Sequence, residues 1–164
     1  MTPKNMIVLG LHPSSRGFGW VLFEDAFSLL DWGTVDIRRN KNAIAFRRIE
    51  SLLDRHQPAV LALEWHDGVG ARRSRRIRRL YLAIVKCAKI RDITVQCYSR
   101  AQISSSQHLK GASTRDEVAA AVADCLEVLR PRLPKPRHIW VGERSGMSLF
   151  SAAACGLTYF AGET

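Results

Sequence analysis

The chain has 164 residues, 46% of them apolar and 24% charged, the mix of a folded globular protein rather than a disordered one. Lys and Arg together number 25 against 15 Asp and Glu, a formal net charge of +10 and a pI near 10.1. A surface that positive repels itself and is matched by an anionic partner, nucleic acid first. No apolar run reaches the ~18 residues that span a bilayer, which argues against a membrane protein, and Met1 to Asn5 with the short Met6–Leu11 run lacks the length and cleavage site of a signal peptide. The cysteines Cys87, Cys97, Cys125 and Cys155 form no CxxC pair, so buried free thiols in a cytoplasmic protein are expected.

In chain order, Met6–Leu11 reads as a strand running into the turn His12-Pro13-Ser14-Ser15-Arg16-Gly17. Phe18 to Glu24 and Phe27 to Ile37 read as two further strands, and the short links make the three an antiparallel meander. Ala43 to His56 carries Ile44, Phe46, Ile49, Leu52 and Leu53 close to helical spacing, and Pro58 ends that helix. Ala59–Leu63 is a buried-type strand closing on Glu64. A meander passing through a helix into a new strand implies a mixed α/β architecture.

The next helix carries Ile77, Leu80, Tyr81, Ile84 and Val85 as one apolar stripe, suited to the protein's own core or to a partner copy. Around its first turns stand Arg72, Arg73, Arg75, Arg76, Arg78 and Arg79, six arginines in eight residues. Residues 70–100 hold ten Lys or Arg and one acid, Asp92, a net +9 that nearly equals the charge of the whole chain. Six like charges on one helical start repel one another, and phosphates relieve that repulsion. A strand follows over Ile93 to Tyr98, and Ser99 with Gln102 marks a helix start. Thr114 and Glu117 form a capping-box pattern ahead of an apolar face of Val118, Ala121, Val122, Cys125, Leu126 and Leu129. Residues 131–136 read as a Pro-rich loop, Ile139-Trp140-Val141 as a short apolar run, and Ser145 through Phe160 as a final helix. The length and the absence of a linker point to one domain over 1–164.

Three stretches together resemble the RuvC-like branch of the ribonuclease H superfamily, which includes the Holliday junction resolvases. Leu9-Gly10-Leu11-His12-Pro13-Ser14-Ser15-Arg16-Gly17-Phe18-Gly19-Trp20 resembles that family's first strand and hairpin, where an acid stands just before Pro. Val60-Leu61-Ala62-Leu63-Glu64 is similar to the fourth strand that ends in the family's Glu. Leu149-Phe150-Ser151-Ala152-Ala153-Ala154 resembles the C-terminal helix, where acids precede a run of alanines. The resemblance spans nearly the whole chain. It implies a ribonuclease H-like fold: a mixed five-stranded sheet, antiparallel over its first three strands, with helices on both faces.

It also implies a catalytic site, and here the residues depart from the pattern. Hydrolysis of a phosphodiester by two metal ions needs several carboxylates converging on one point. His12 stands at the first-strand acid position, and Ser151, with Ser148 one turn earlier, stands where the helix acids belong. Glu64 keeps the fourth-strand carboxylate, and Glu143 is the one other acid between Glu127 and Glu163. An alternative ligand set can be drawn from His12, Glu64, His66 and Asp67, in which a His, Glu, His trio would favour Mn²⁺ or Zn²⁺ over Mg²⁺.

The expected function is recognition of branched or structured DNA through Arg72 to Arg79 and Arg16, with further cations at Lys110 and Arg115 and hydroxyl donors at Ser14 and Ser15. The two-metal site is expected to have decayed, leaving no cofactor. The alternative is an active junction endonuclease that uses Mg²⁺ or Mn²⁺ on Glu64 with His12 and other substituted ligands. A homodimer is a further implication of the resemblance. Trp65, beside Glu64, is suited either to stacking on a base or to burial under the next helix. Lys110-Gly111-Ala112-Ser113-Thr114 lacks the order of a phosphate-binding P-loop.

Overall fold

The structure is a computed structural model that describes residues 6–65, 74–134 and 146–162. Its centre is a five-stranded mixed sheet in the order β3-β2-β1-β4-β5. The strands are β1 (Val8–Ser14), β2 (Gly17–Asp25), β3 (Ser28–Asp36), β4 (Val60–Glu64) and β5 (Thr94–Tyr98). The meander β1–β2–β3 is antiparallel, while β4 pairs parallel to β1 and β5 parallel to β4. In consequence β1, β3, β4 and β5 all end at one edge of the sheet, the place where open α/β sheets gather ligands.

The alternation of side chains along each strand builds two cores. Leu9 and Leu11 of β1 and Leu61 and Leu63 of β4 face helices α1 (Lys41–His56) and α2 (Arg75–Ile90). Val8 of β1 and Val60 and Ala62 of β4 face α4 (Arg115–Cys125) and α5 (Met147–Gly162) on the other side. His12 is in phase with Val8 and Gly10, and Glu64 with Val60 and Ala62. Both side chains therefore belong to the α5 side of the sheet.

At Gly10 and Gly19, helix α5 lies backbone against backbone on that face. A Cβ built on Gly10 would meet the Ala152 carbonyl oxygen at 2.2 Å, and one on Gly19 would meet the Ser148 carbonyl carbon at 2.3 Å. Small residues on both surfaces let backbone approach backbone, which is why the alanine run sits in this helix. His12 pairs with Gly19 across the β1–β2 ladder, so the first turn of α5 is held over the end of β1.

Several local expectations are met by identifiable bonds. Ser99 and Gln102 make the full reciprocal cap of α3 (Arg100–Ser105). The Thr114 hydroxyl accepts from the Glu117 N–H at 3.1 Å, and the Glu117 carboxylate accepts from the Ser113 N–H at 3.0 Å. One expectation needs correction. The helix expected to carry Leu129 ends at Cys125, and Glu127–Arg132 forms a 3₁₀ turn that takes in Pro131, the start of the stretch read as loop. Proline lacks the N–H that a longer α-helix would need there. The stripe Ile77, Leu80, Tyr81 and Ile84 is buried in this chain's own core, with Val85 packed against it, so this face is not an exposed surface for a second copy. Among the described residues no helix is long and apolar enough to cross a membrane.

Candidate functional site

The strand ends bring His12 and Glu64 side by side, one residue past the Leu11–Leu63 pairing of β1 and β4. His12 Nδ1 lies 3.7 Å from Glu64 Oε2, too long for a hydrogen bond. His12 is 1% exposed and the Glu64 side chain 14%, so both look into a sheltered place rather than open water. Next to Glu64, Tyr98 ends β5 in register with it, and Ser99 caps α3. That cap fixes Arg100 on the first turn, where Arg100 Nε stands 3.7 Å from Glu64 Oε1. The Glu64 carboxylate is thus flanked by an imidazole on one oxygen and a guanidinium on the other.

Beside this trio opens a cleft of about 290 Å³. Glu64, Arg100, Ser104, Ser113, Thr114, Arg115 and Ser151 supply its polar lining, with Ile103, Val118 and Ala154 among the apolar wall residues. Ser151 therefore shares a cavity with Glu64. Ser148 is held at the end of the sheet by the close approach to Gly19. The Glu117 carboxyl at the start of α4 is held below its ordinary range by the Ser113 and Thr114 backbone N–H groups, so that helix end already carries its own anion.

The cationic candidates divide into groups with different duties. Arg16 is exposed on the β1–β2 turn, whose N–H bonds the Ser14 hydroxyl at 3.3 Å. The Ser15 carbonyl accepts from Lys41 Nζ at 2.6 Å. Arg76 is a structural clamp: its guanidinium donates to Asn42 Oδ1 at 3.0 Å and to the Ser14 carbonyl at 3.4 Å, tying α2 to α1 and to the first turn. Arg75, Arg78 and Arg79 are exposed on the same end of α2. Arg38 and Arg39, exposed beyond β3, add to the same edge. Lys110 is exposed in the turn ahead of α4, two residues before Ala112 of the cleft wall. Trp65 is 44% exposed, so it is not buried under α2. Arg72, Arg73 and Glu143 lie outside the described residues, as do His66 and Asp67.

Arg100 is the participant that sequence reading missed. It was counted within the basic stretch, but only the parallel pairing of β5 to β4 shows that a residue just after β5 meets the carboxylate at the end of β4. The capping box at Ser99 and Gln102 was the available signal.

The donors can be tested against the metal chemistry that the resemblance implies. A pair of Mg²⁺ ions asks for several converging carboxylate oxygens. Glu64 is the one carboxylate lining the cleft among the described residues, and no group of three His, Cys, Asp or Glu side chains among them is disposed to hold a metal ion. The Arg100 guanidinium also stands where it repels a divalent cation. The described donors do not fit a pair of Mg²⁺ ions.

No protein-family model matches the chain, and no curated protein matches it either. Solved structures do. The Thermus thermophilus RuvC structure is 21% identical with a TM-score of 0.67, over 93% of this chain and 92% of that one. T. thermophilus RuvC in complex with Holliday junction substrate is 19% identical with a TM-score of 0.69, over 96% of this chain and 95% of that one. The Fowlpox virus resolvase in complex with substrate Holliday junction DNA is 14% identical with a TM-score of 0.56, over 93% and 97%. The strand order, the helices on both faces and this end-to-end match together establish that the chain has the ribonuclease H-like fold of the RuvC-type Holliday junction resolvases.

Proposed function

We propose that this protein binds branched DNA of the Holliday-junction type at the carboxyl edge of its sheet, and that its two-metal nuclease chemistry has been lost. The observation that carries the proposal is the arrangement around Glu64. Among the described residues, the Glu64 carboxylate is flanked by His12 and Arg100 and no further acid lines its cleft, on an edge rich in arginine. Arg16, Arg38, Arg39, Arg75, Arg78 and Arg79 crowd the turns and helix starts of that edge, a distribution suited to tracking phosphates. No disulfide joins the four cysteines; Cys87 and Cys155 are buried, while Cys97 and Cys125 are half-buried.

The second reading is an active junction endonuclease using Mg²⁺ or Mn²⁺. The specific observation in its favour is that Glu64 is kept at the end of β4 and shares a cleft with Ser151 on α5. The experiment that separates binding of branched DNA from general affinity for polyanions is a competition shift. A labelled four-way junction is titrated with protein in EDTA against excess linear duplex of the same composition. Retention of the junction complex supports the proposal; equal displacement by linear duplex contradicts junction recognition.

A further inference from the structure

The disagreement between this donor set and a pair of metal ions leads to an assignment for the cleft itself, resting on the DNA-binding reading above. We infer that the cleft beside Glu64 is a metal-free phosphate subsite, in which Arg100 and Arg115 receive a backbone phosphate of the bound DNA and Glu64 serves as the resident counter-anion of Arg100.

Geometry and charge carry the assignment. The cavity of about 290 Å³ has room for a phosphate with its water, and Ser104 and Ser151 line it together with Arg100 and Arg115, while the Ser113 hydroxyl donates to the Glu117 carboxylate at 3.4 Å. Arg100 is 61% exposed and stands 3.7 Å from Glu64, an ion pair without a tight hydrogen bond, which an incoming anion can take over. A guanidinium matches two phosphate oxygens with parallel N–H donors, so it can meet the anion directly where an ancestral site would use a divalent ion. His12, 1% exposed and 3.7 Å from the other Glu64 oxygen, packs beside the carboxylate on the side away from Arg100.

The assignment makes opposite demands on two neighbouring residues. If Glu64 is only the competitor for Arg100, Glu64→Gln frees the guanidinium and tightens junction binding in EDTA, by about two- to fivefold. Arg100→Ala and Arg115→Ala each remove a phosphate partner. Each should weaken junction binding about three- to tenfold and lower the slope of log affinity against log salt by ~1. Both effects should be the same in EDTA and in Mg²⁺. The assay is a fluorescence-anisotropy titration of a labelled four-way junction with the full chain at several salt concentrations. Thermal melts of each variant establish folding, and Arg100, being exposed, is the variant whose fold is safest.

Tighter binding by Glu64→Gln together with weaker binding by Arg100→Ala supports the assignment. Weaker binding by Glu64→Gln that appears only in Mg²⁺ would make Glu64 a metal ligand and overturn it. Unchanged affinity and slope in Arg100→Ala and Arg115→Ala, with wild-type protein still binding the junction, would overturn the subsite and leave junction binding standing. Failure of the wild type to bind any junction would remove the function proposed above and the subsite with it.

Discussion

The substitution Gly19→Ala probes the contact that holds α5 over the strand ends. A Cβ at this position would lie 2.3 Å from the Ser148 carbonyl carbon, 2.4 Å from its oxygen and 2.5 Å from the Leu149 nitrogen. Ordinary carbon contacts begin near 3.5 Å, so the first turn of α5 must lift by on the order of 1 Å. All three obstructing atoms are backbone, so no rotamer change relieves the clash. Overpacking of this kind costs about 3 kcal/mol, which for a chain of this size lowers Tm by about 6–12 °C. Gly10→Ala, against the Ala152 carbonyl oxygen at 2.2 Å, should behave alike. Gly162→Ala is the internal control: nothing lies within 4 Å of its built Cβ, and the expected change is within about 0.5 kcal/mol of zero. Scanning calorimetry of the three variants gives the answer. A Gly19→Ala protein that melts within a degree of wild type would mean that α5 is not seated on β1 and β2 as described, and the shared cleft of Glu64 and Ser151 would lose its basis.

Other expectations concern charge. The double variant Arg75→Ala/Arg79→Ala should lower the salt slope of junction binding by ~2 and the affinity at physiological salt on the order of tenfold, with Tm unchanged. Arg76→Ala should do the reverse, losing about 1 kcal/mol of stability through its bonds to Asn42 and the Ser14 carbonyl while changing the slope little; equal slope effects in both variants would refute this division. Asp54 is held below the ordinary carboxyl range by its hydrogen bond from Arg91 Nε at 2.7 Å. Its folded pKa is thus lower than its unfolded one, so the pair stabilises the fold above about pH 4 and this contribution fades as pH falls further. Asp54→Asn should flatten the acid limb of a urea-midpoint-against-pH curve; parallel curves would show the pair contributes nothing. His12→Asp sets a second carboxylate next to Glu64 in a buried position, so the variant should melt lower than wild type in EDTA and regain stability in Mg²⁺. Combined with Ser151→Asp it should begin to nick junctions if the rest of the cleft is intact, and no Mg²⁺-dependent rise in Tm would show that the strand ends no longer converge on a metal position.

Much of the fold was legible because each element carries its own local signal. The short continuous apolar run that closes on Glu64 marked a buried strand, and the Ser99–Gln102 pair marked a cap, because both depend on residues close in the chain. The trio at the site was only partly legible for the opposite reason. His12 and Glu64 could be paired through the resemblance, but the approach of Arg100 depends on the parallel register of β4 and β5, which no local pattern encodes. Arg76 was misleading in the same way. Within a run of six arginines it looks like its neighbours, and only its position between Asn42 and the first turn makes it a clamp. The end of α4 was misplaced because Leu129 keeps the helical apolar phase while the backbone has already tightened into a 3₁₀ turn.

The central claim is that this resolvase fold holds branched DNA without cutting it. Its most direct test is one gel in which a labelled four-way junction and a linear duplex are incubated with the protein in EDTA, in Mg²⁺ and in Mn²⁺, with shift and cleavage read from the same lanes. The account expects a junction shift of equal strength in all three conditions and no product in any. Paired symmetric nicks in Mg²⁺ or Mn²⁺ that vanish in Glu64→Gln would contradict it and place His12 and Glu64 in a working metal site.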